Sequence, residues 1–296
     1  MINNSKINDY KGIFFMLLAS LFFAINDALV KYAVKQLGSD SSLFNVVFLR
    51  AIFTSLLILL SIFLFGKFNF KKIFYDKNSY IRGVFECFAA FTFLTALMLM
   101  PMAVTYTLLN TVPLIVTAAS AILLGEKVGI RRWSAVIIGF IGVLIVINPT
   151  NLIFGFIFIL PILSAIFLTM RDVITKSYKD TSNSLELIFI TSLLVTISFG
   201  IVSIFFPINI NYESTLYIAV ASIALVLAYL FSVLTIIYAP LSLTSSTRYS
   251  VIVFGIILGY LFFNEIPSFN MIIGAIIISL SGLFVINREK KLGKIK

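Results

Sequence analysis

Apolar residues in this chain arrive in blocks of about twenty, separated by short polar stretches, which is the length at which a helix crosses a bilayer. The blocks predict ten helices, near 12–34, 42–65, 79–99, 102–124, 131–148, 153–175, 183–206, 214–237, 241–263 and 268–287. The first block follows Lys6 and Lys11. It is longer than a signal-peptide core and no small-residue cleavage site follows it, so it reads as the first helix.

Composition agrees with the pattern. Of 296 residues, 60% are hydrophobic and 11% charged, with a mean hydropathy of +1.10; in soluble domains about a quarter of residues carry charge. The fold class expected is an all-α integral membrane protein. The chain contains no histidine. That excludes His-ligated zinc, His-bound haem and Ser/His or Cys/His hydrolysis, so neither catalytic residues nor a metal or cofactor are expected. The lone Cys87 sits in an apolar block and reads as a small buried hydrophobe. With no phosphate-cradling glycine loop, ATP is not a direct energy source.

A net charge of +10 suggests nucleic-acid binding until the charges are placed. They lie in short loops, and that is topology information, so no nucleic-acid partner is expected. The even-numbered connections and the C-terminal tail collect Lys67, Lys71, Lys72, Lys77, Lys127, Arg131, Arg132, Arg171, Lys176, Lys179, Arg288, Lys290, Lys291, Lys294 and Lys296, while the odd-numbered ones hold Lys31 and Lys35. The bias predicts that both termini are cytoplasmic.

The two halves resemble each other. An offset of 139 aligns Pro101 with Pro240, Thr105 with Thr244, Glu126 with Glu265 and Asn148 with Asn287 without a gap; Asp27 and Lys31 match Asp172 and Lys176 at an offset of 145. Five helices per copy is odd, so the second copy enters the membrane upside down. The expectation is two inverted five-helix repeats, 1–150 and 151–296, with a binding site at their interface near the midplane.

Charges inside membrane spans are costly and mark function by default. Asp27 lies roughly 10 Å and Arg50 roughly 12 Å below the outer ends of their helices, so the two are expected to pair, either as a structural lock or as a gate. Glu86 stands one turn from Arg82, which makes it a candidate proton-coupling group or half of an edge clasp. Arg248, placed eight residues into helix 9, is a candidate anchor for a substrate carboxylate, the alternative being a permanent partner in Glu86 or Asp27. Tyr249 beside it, and Tyr106 and Asn110 on helix 4, complete the expected substrate site. Pro113 and Pro161 read as interruptions of helices 4 and 6. Gly255 and Gly259 form a small-xxx-small pair for close helix approach. Glu126 and Glu265 read as caps or gate-rim residues.

The Asn26-Asp27-x3-Lys31 box, Phe48-Leu49-Arg50, Leu124-Gly125-Glu126 and Phe263-Asn264-Glu265-x-Pro267 resemble the EamA-type ten-helix branch of the drug/metabolite transporter superfamily, across nearly the whole length. Arg50 together with Arg248-Tyr249 is similar to the subgroup associated with S-adenosylmethionine uptake. The resemblance implies a multi-pass protein of the bacterial cytoplasmic (inner) membrane.

These observations together predict a secondary transporter moving a small zwitterionic or amphipathic metabolite, an amino acid or an S-adenosylmethionine-like molecule, by alternating access. The partners expected are that substrate, the lipid bilayer and, as a candidate, a coupling proton; oligomeric state is not readable. The competing readings are a passive channel, an exporter of another small metabolite and an intramembrane enzyme. The sequence shows neither a filter nor rings of like charge. Asp27 and Glu86 lie toward opposite faces, which argues against an enzyme.

Overall fold

The computed structural model describes residues 4–38, 43–65, 77–123, 128–147, 155–176, 184–208, 210–238 and 247–291. The described residues form ten helices: α1 (Asn4–Leu37), α2 (Leu43–Phe65), α3 (Lys77–Leu99), α4 in two pieces, α4a (Met102–Leu109) and α4b (Val112–Leu123), α5 (Ile130–Ile147), α6 (Ile159–Lys176), α7 (Ser184–Ser203), α8 (Tyr212–Tyr238), α9 (Ser250–Phe263) and α10 (Phe269–Lys291). Seven are long and apolar enough to cross a bilayer; α6, α7 and α9 are shorter apolar helices. Helices are the necessary solution, because a lipid-exposed backbone must satisfy its own hydrogen bonds.

The surface is inverted relative to a soluble protein. Leu60, Phe63 and Ile204 are 54%, 70% and 79% exposed, whereas Asn26, Asp27, Lys31 and Arg50 are all buried. Apolar side chains meet lipid, and the few polar ones are gathered within the bundle.

The principal packing runs between the halves of the chain: α1 on α8, α2 on α7, α3 on α6, α4a on α9 and α5 on α10, with α9 packing still more on α1. Exchanging every helix for its equivalent five places away turns α1–α8 into α6–α3 and leaves the other three pairs unchanged. In α5–α10 the backbones approach so closely that a Cβ on Gly274 would lie 2.7 Å from the Gly142 carbonyl oxygen.

Pro113 interrupts helix 4 as expected, and other expectations need correction in detail. Helix 4 is broken at Asn110–Thr111, because Pro113 lacks the N–H that would bond the Leu109 carbonyl, and Leu114 N bonds Thr111 O three residues back instead. Pro161 does not interrupt helix 6. It is the third residue of α6, after a 3-10 turn at Gly155–Phe158, where a missing N–H costs nothing. Arg171, expected in a loop, lies inside α6. The expected 241–246 segment of helix 9, the repeat partners Pro240 and Thr244, Glu126, Asn148, and the basic residues at 67, 71, 72, 127 and 179 lie outside the described residues.

Candidate functional site: the charged axis of the bundle

At the end of the bundle opposite the N-terminus, α9 closes with Asn264 in the left-handed region at φ 54°, and Glu265 N bonds the Gly259 carbonyl at 3.1 Å. This is a Schellman-type ending in which asparagine tolerates the positive φ. The turn folds the Glu265 carboxylate back over Gly259, where a Cβ would lie 2.8 Å from Oε2. Only glycine leaves room there. Glu265 Oε1 accepts from Lys31 Nζ at 2.7 Å, and Oε2 accepts from Met102 N at the start of α4a at 2.8 Å. Lys31 Nζ also donates to the Met100 carbonyl at 2.7 Å. One ion pair thus ties α1, the α3–α4 connection and the end of α9 together. Outside it lies a shallow depression of about 340 Å³ between α1 and α9, lined by Tyr32, Lys35, Gln36, Phe262, Phe263 and Asn264.

One turn deeper on α1 comes Asp27. Its Oδ2 accepts from Tyr106 Oη at 2.6 Å and its Oδ1 from Asn26 Nδ2 at 2.8 Å. The expected direct pair with Arg50 is absent among the described residues. Asn26 stands between them: its amide nitrogen serves Asp27, and its oxygen accepts from Arg50 Nη1 at 3.4 Å. The opposite charges still feel each other, but through an amide relay.

Toward the N-terminal end, Glu86 does not clasp Arg82. It pairs with Arg171 of α6, Nη1 to Oε2 at 2.7 Å, while Arg82 Nη1 donates to the Thr191 hydroxyl of α7. The same-helix spacing permits an Arg82–Glu86 contact, but α6 brings a guanidinium across the α3–α6 seam and that geometry wins. Tyr229 of α8 lies within electrostatic reach of Arg50, Arg82, Glu86 and Arg171.

The expected substrate residues divide. Tyr106 is committed to Asp27, and its ring covers Gly255, where a Cβ would be 2.4 Å from the ring. The Gly255/Gly259 pair is thereby accounted for within one chain. Asn110 ends α4a and donates to the Tyr106 carbonyl at 2.8 Å. Arg248 and Tyr249 form a turn immediately before α9, so Arg248 lies outside the helix in which it was expected and is exposed. Tyr249 turns into the α9–α10 seam against Gly282, where a Cβ would lie 1.6 Å from its hydroxyl. Among the described residues, that hydroxyl and the neighbouring Ser250 Oγ are buried without hydrogen-bond partners.

The sequence reading missed the Lys31–Glu265 pair, the Asn26 relay, the Arg171 partner and Tyr229. A signal for the first was present: Lys31 is one turn beyond Asp27 on the same face, and Glu265 closes a helix of the other half of the chain.

An all-helical, lipid-facing bundle with its charges sequestered along one axis is the framework of a multi-pass membrane transporter of small molecules. Residues 10–148 match the EamA-like transporter family. Over 291 residues the chain is 27% identical to the S-adenosylmethionine uptake transporter of Rickettsia prowazekii (strain Madrid E), covering 97% of each. Over 288 residues it is 25% identical to the pseudopaline exporter of Pseudomonas aeruginosa (strain UCBPP-PA14), covering 95% of this chain and 97% of the exporter. A solved crystal structure superimposes with a TM-score of 0.63 at 15% identity, covering 94% of this chain and 98% of the other. The EamA-like match over residues 10–148 and the transporter names of relatives that span nearly the whole chain point to a transporter rather than an enzyme.

Proposed function

We propose that the protein imports a small zwitterionic metabolite of the S-adenosylmethionine type across the bacterial cytoplasmic membrane by alternating access, with both termini cytoplasmic and no direct use of ATP. The observation that carries this reading is the break in α4, which falls at the position that the 139-residue offset matches to the start of α9. α4 breaks at Asn110–Thr111 and α9 is preceded by the turn Arg248–Tyr249, positions that the 139-residue offset superimposes to within one residue. A discontinuous helix leaves backbone groups available to a solute. The substrate site is assigned between the α4 break and the turn before α9, bordered by Arg248, Tyr249, Tyr106 and Asn110. Asp27, Arg50 and Glu86 are the charges whose partners exchange during the cycle, with a proton as the coupling ion. In this arrangement Lys31–Glu265 closes the outer end.

The Rickettsia relative named an uptake transporter matches nearly the whole chain, which supports the direction and the class of solute. Export of another small metabolite is the competing reading, supported by the pseudopaline exporter relative. Reconstitution into vesicles separates them. Saturable S-adenosylmethionine influx, accelerated by unlabelled solute on the far side, is the expected result. Non-saturating flux would instead indicate a channel, and no S-adenosylmethionine flux in either direction would remove the substrate assignment.

A further inference from the structure

Arg50 is 7% exposed and carries five N–H donors, yet its side chain makes one hydrogen bond, to Asn26 Oδ1 at 3.4 Å, near the limit for such a contact. Its Nε is buried without a partner. Among the described residues no carboxylate lies at ion-pair distance from it, because the Asn26 amide separates it from Asp27. A guanidinium held in low dielectric with its fork unused is costly to the resting protein, and a ligand carboxylate relieves that cost in two parallel hydrogen bonds.

The neighbouring helix is arranged to help. Ser222 Oγ of α8 donates to the Arg50 carbonyl at 3.1 Å, fixing the two helices side by side. Two turns along α8, Tyr229 lies in mutual electrostatic reach of Arg50, is only partly buried, and its hydroxyl makes no hydrogen bond among the described residues. Its ring is braced edge-on by Phe23 at 5.6 Å. By contrast, the guanidinium of Arg171 is occupied by Glu86.

Resting on the transport reading above, we infer that Arg50 anchors the α-carboxylate of an amino-acid-type substrate, with the Tyr229 hydroxyl as a second donor and Asp27 as the counter-charge for the adjacent ammonium. A simple anion fits this site poorly, since it would add negative charge one amide away from Asp27. A zwitterion offers both signs on one carbon and matches both. Arg248, exposed at the turn before α9 and farther from the Lys31–Glu265 end than Arg50, is then met on the way out to the cytoplasm, while Arg50 holds.

The test compares binding of S-adenosylmethionine and its decarboxylated analogue to full-length protein in nanodiscs, for wild type, Arg50→Lys and Arg50→Gln, with melting temperatures recorded alongside. Wild type should prefer the carboxylate-bearing ligand at least tenfold. Arg50→Gln should bind the two alike, and Arg50→Lys, which keeps the charge opposite Asp27 and so protects the fold, should lose most of the preference. If Arg50→Gln does not fold, Arg50→Lys decides. A carboxylate preference that survives in a folded variant overturns the anchor. Equal binding of both ligands by wild type also overturns it while leaving the substrate reading intact, whereas binding of neither overturns the substrate reading and the anchor with it.

Discussion

Lys31 Nζ and Glu265 Oε1 lie 2.7 Å apart although 234 residues separate them, and they join the first helix of one half to the end of the fourth helix of the other. The pair is nearly dry, with side-chain exposures of 3% and 16%. Removing one partner of such a pair strands a charge and costs about 3–5 kcal/mol, whereas removing both costs less.

Lys31→Met and Glu265→Gln should therefore each lower the melting temperature, and the double variant should be more stable than the worse single one. If the pair is also the outer lock, the double variant in vesicles will leak solute faster than wild type. Additive destabilisation with unchanged leak would refute both statements.

Tyr106→Phe deletes the 2.6 Å hydrogen bond to Asp27 while preserving the ring on Gly255. A bond to a charged group is worth about 1.5–3 kcal/mol, and that loss is expected in denaturant titration. Combining it with Asp27→Asn should give less than the sum, because the two substitutions break one interaction. The Asp27 and Arg50 pair should show weaker coupling, since Asn26 stands between them.

Gly282→Ala drives a methyl into the Tyr249 hydroxyl, and overpacking of this kind costs about 1–3 kcal/mol. Adding Tyr249→Phe removes the oxygen at the closest contact and should recover part of the loss. Stability unchanged by the first substitution would show that the α9–α10 seam yields more readily than its geometry indicates.

The topology has its own test. A reporter fused at residue 150 should report the outside and one at Lys179 the inside, as the basic-residue bias requires. The reverse pattern would invert the transport direction assigned to the Lys31–Glu265 end.

The helices were legible because a bilayer imposes one length and one polarity on each span; α2, α3 and α5 fall within two residues of their expected bounds. Pro113 announced the break in α4. Partner choice was not legible. Glu86 has an arginine four residues away in sequence, but its ion pair comes from Arg171, 85 residues on. The Asp27–Arg50 expectation identified two charges that do influence each other, yet depth along two helices does not reveal which side chain occupies the space between them. Asn26 sits next to Asp27, and only helix rotation places its oxygen on Arg50.

The dominance of cross-half helix pairs reaches beyond transport into how the chain is made. Synthesis starts at the N-terminus, and α1 cannot meet its main packing partner until α8 has been translated, nor α5 until α10. The first five helices must therefore wait in the membrane with polar groups such as the Arg50 guanidinium uncovered. Neither half owns a complete interior. Residues 1–150 expressed alone would be an orphan held together by little of its own, while the two halves produced as separate chains carry between them every surface needed to find each other.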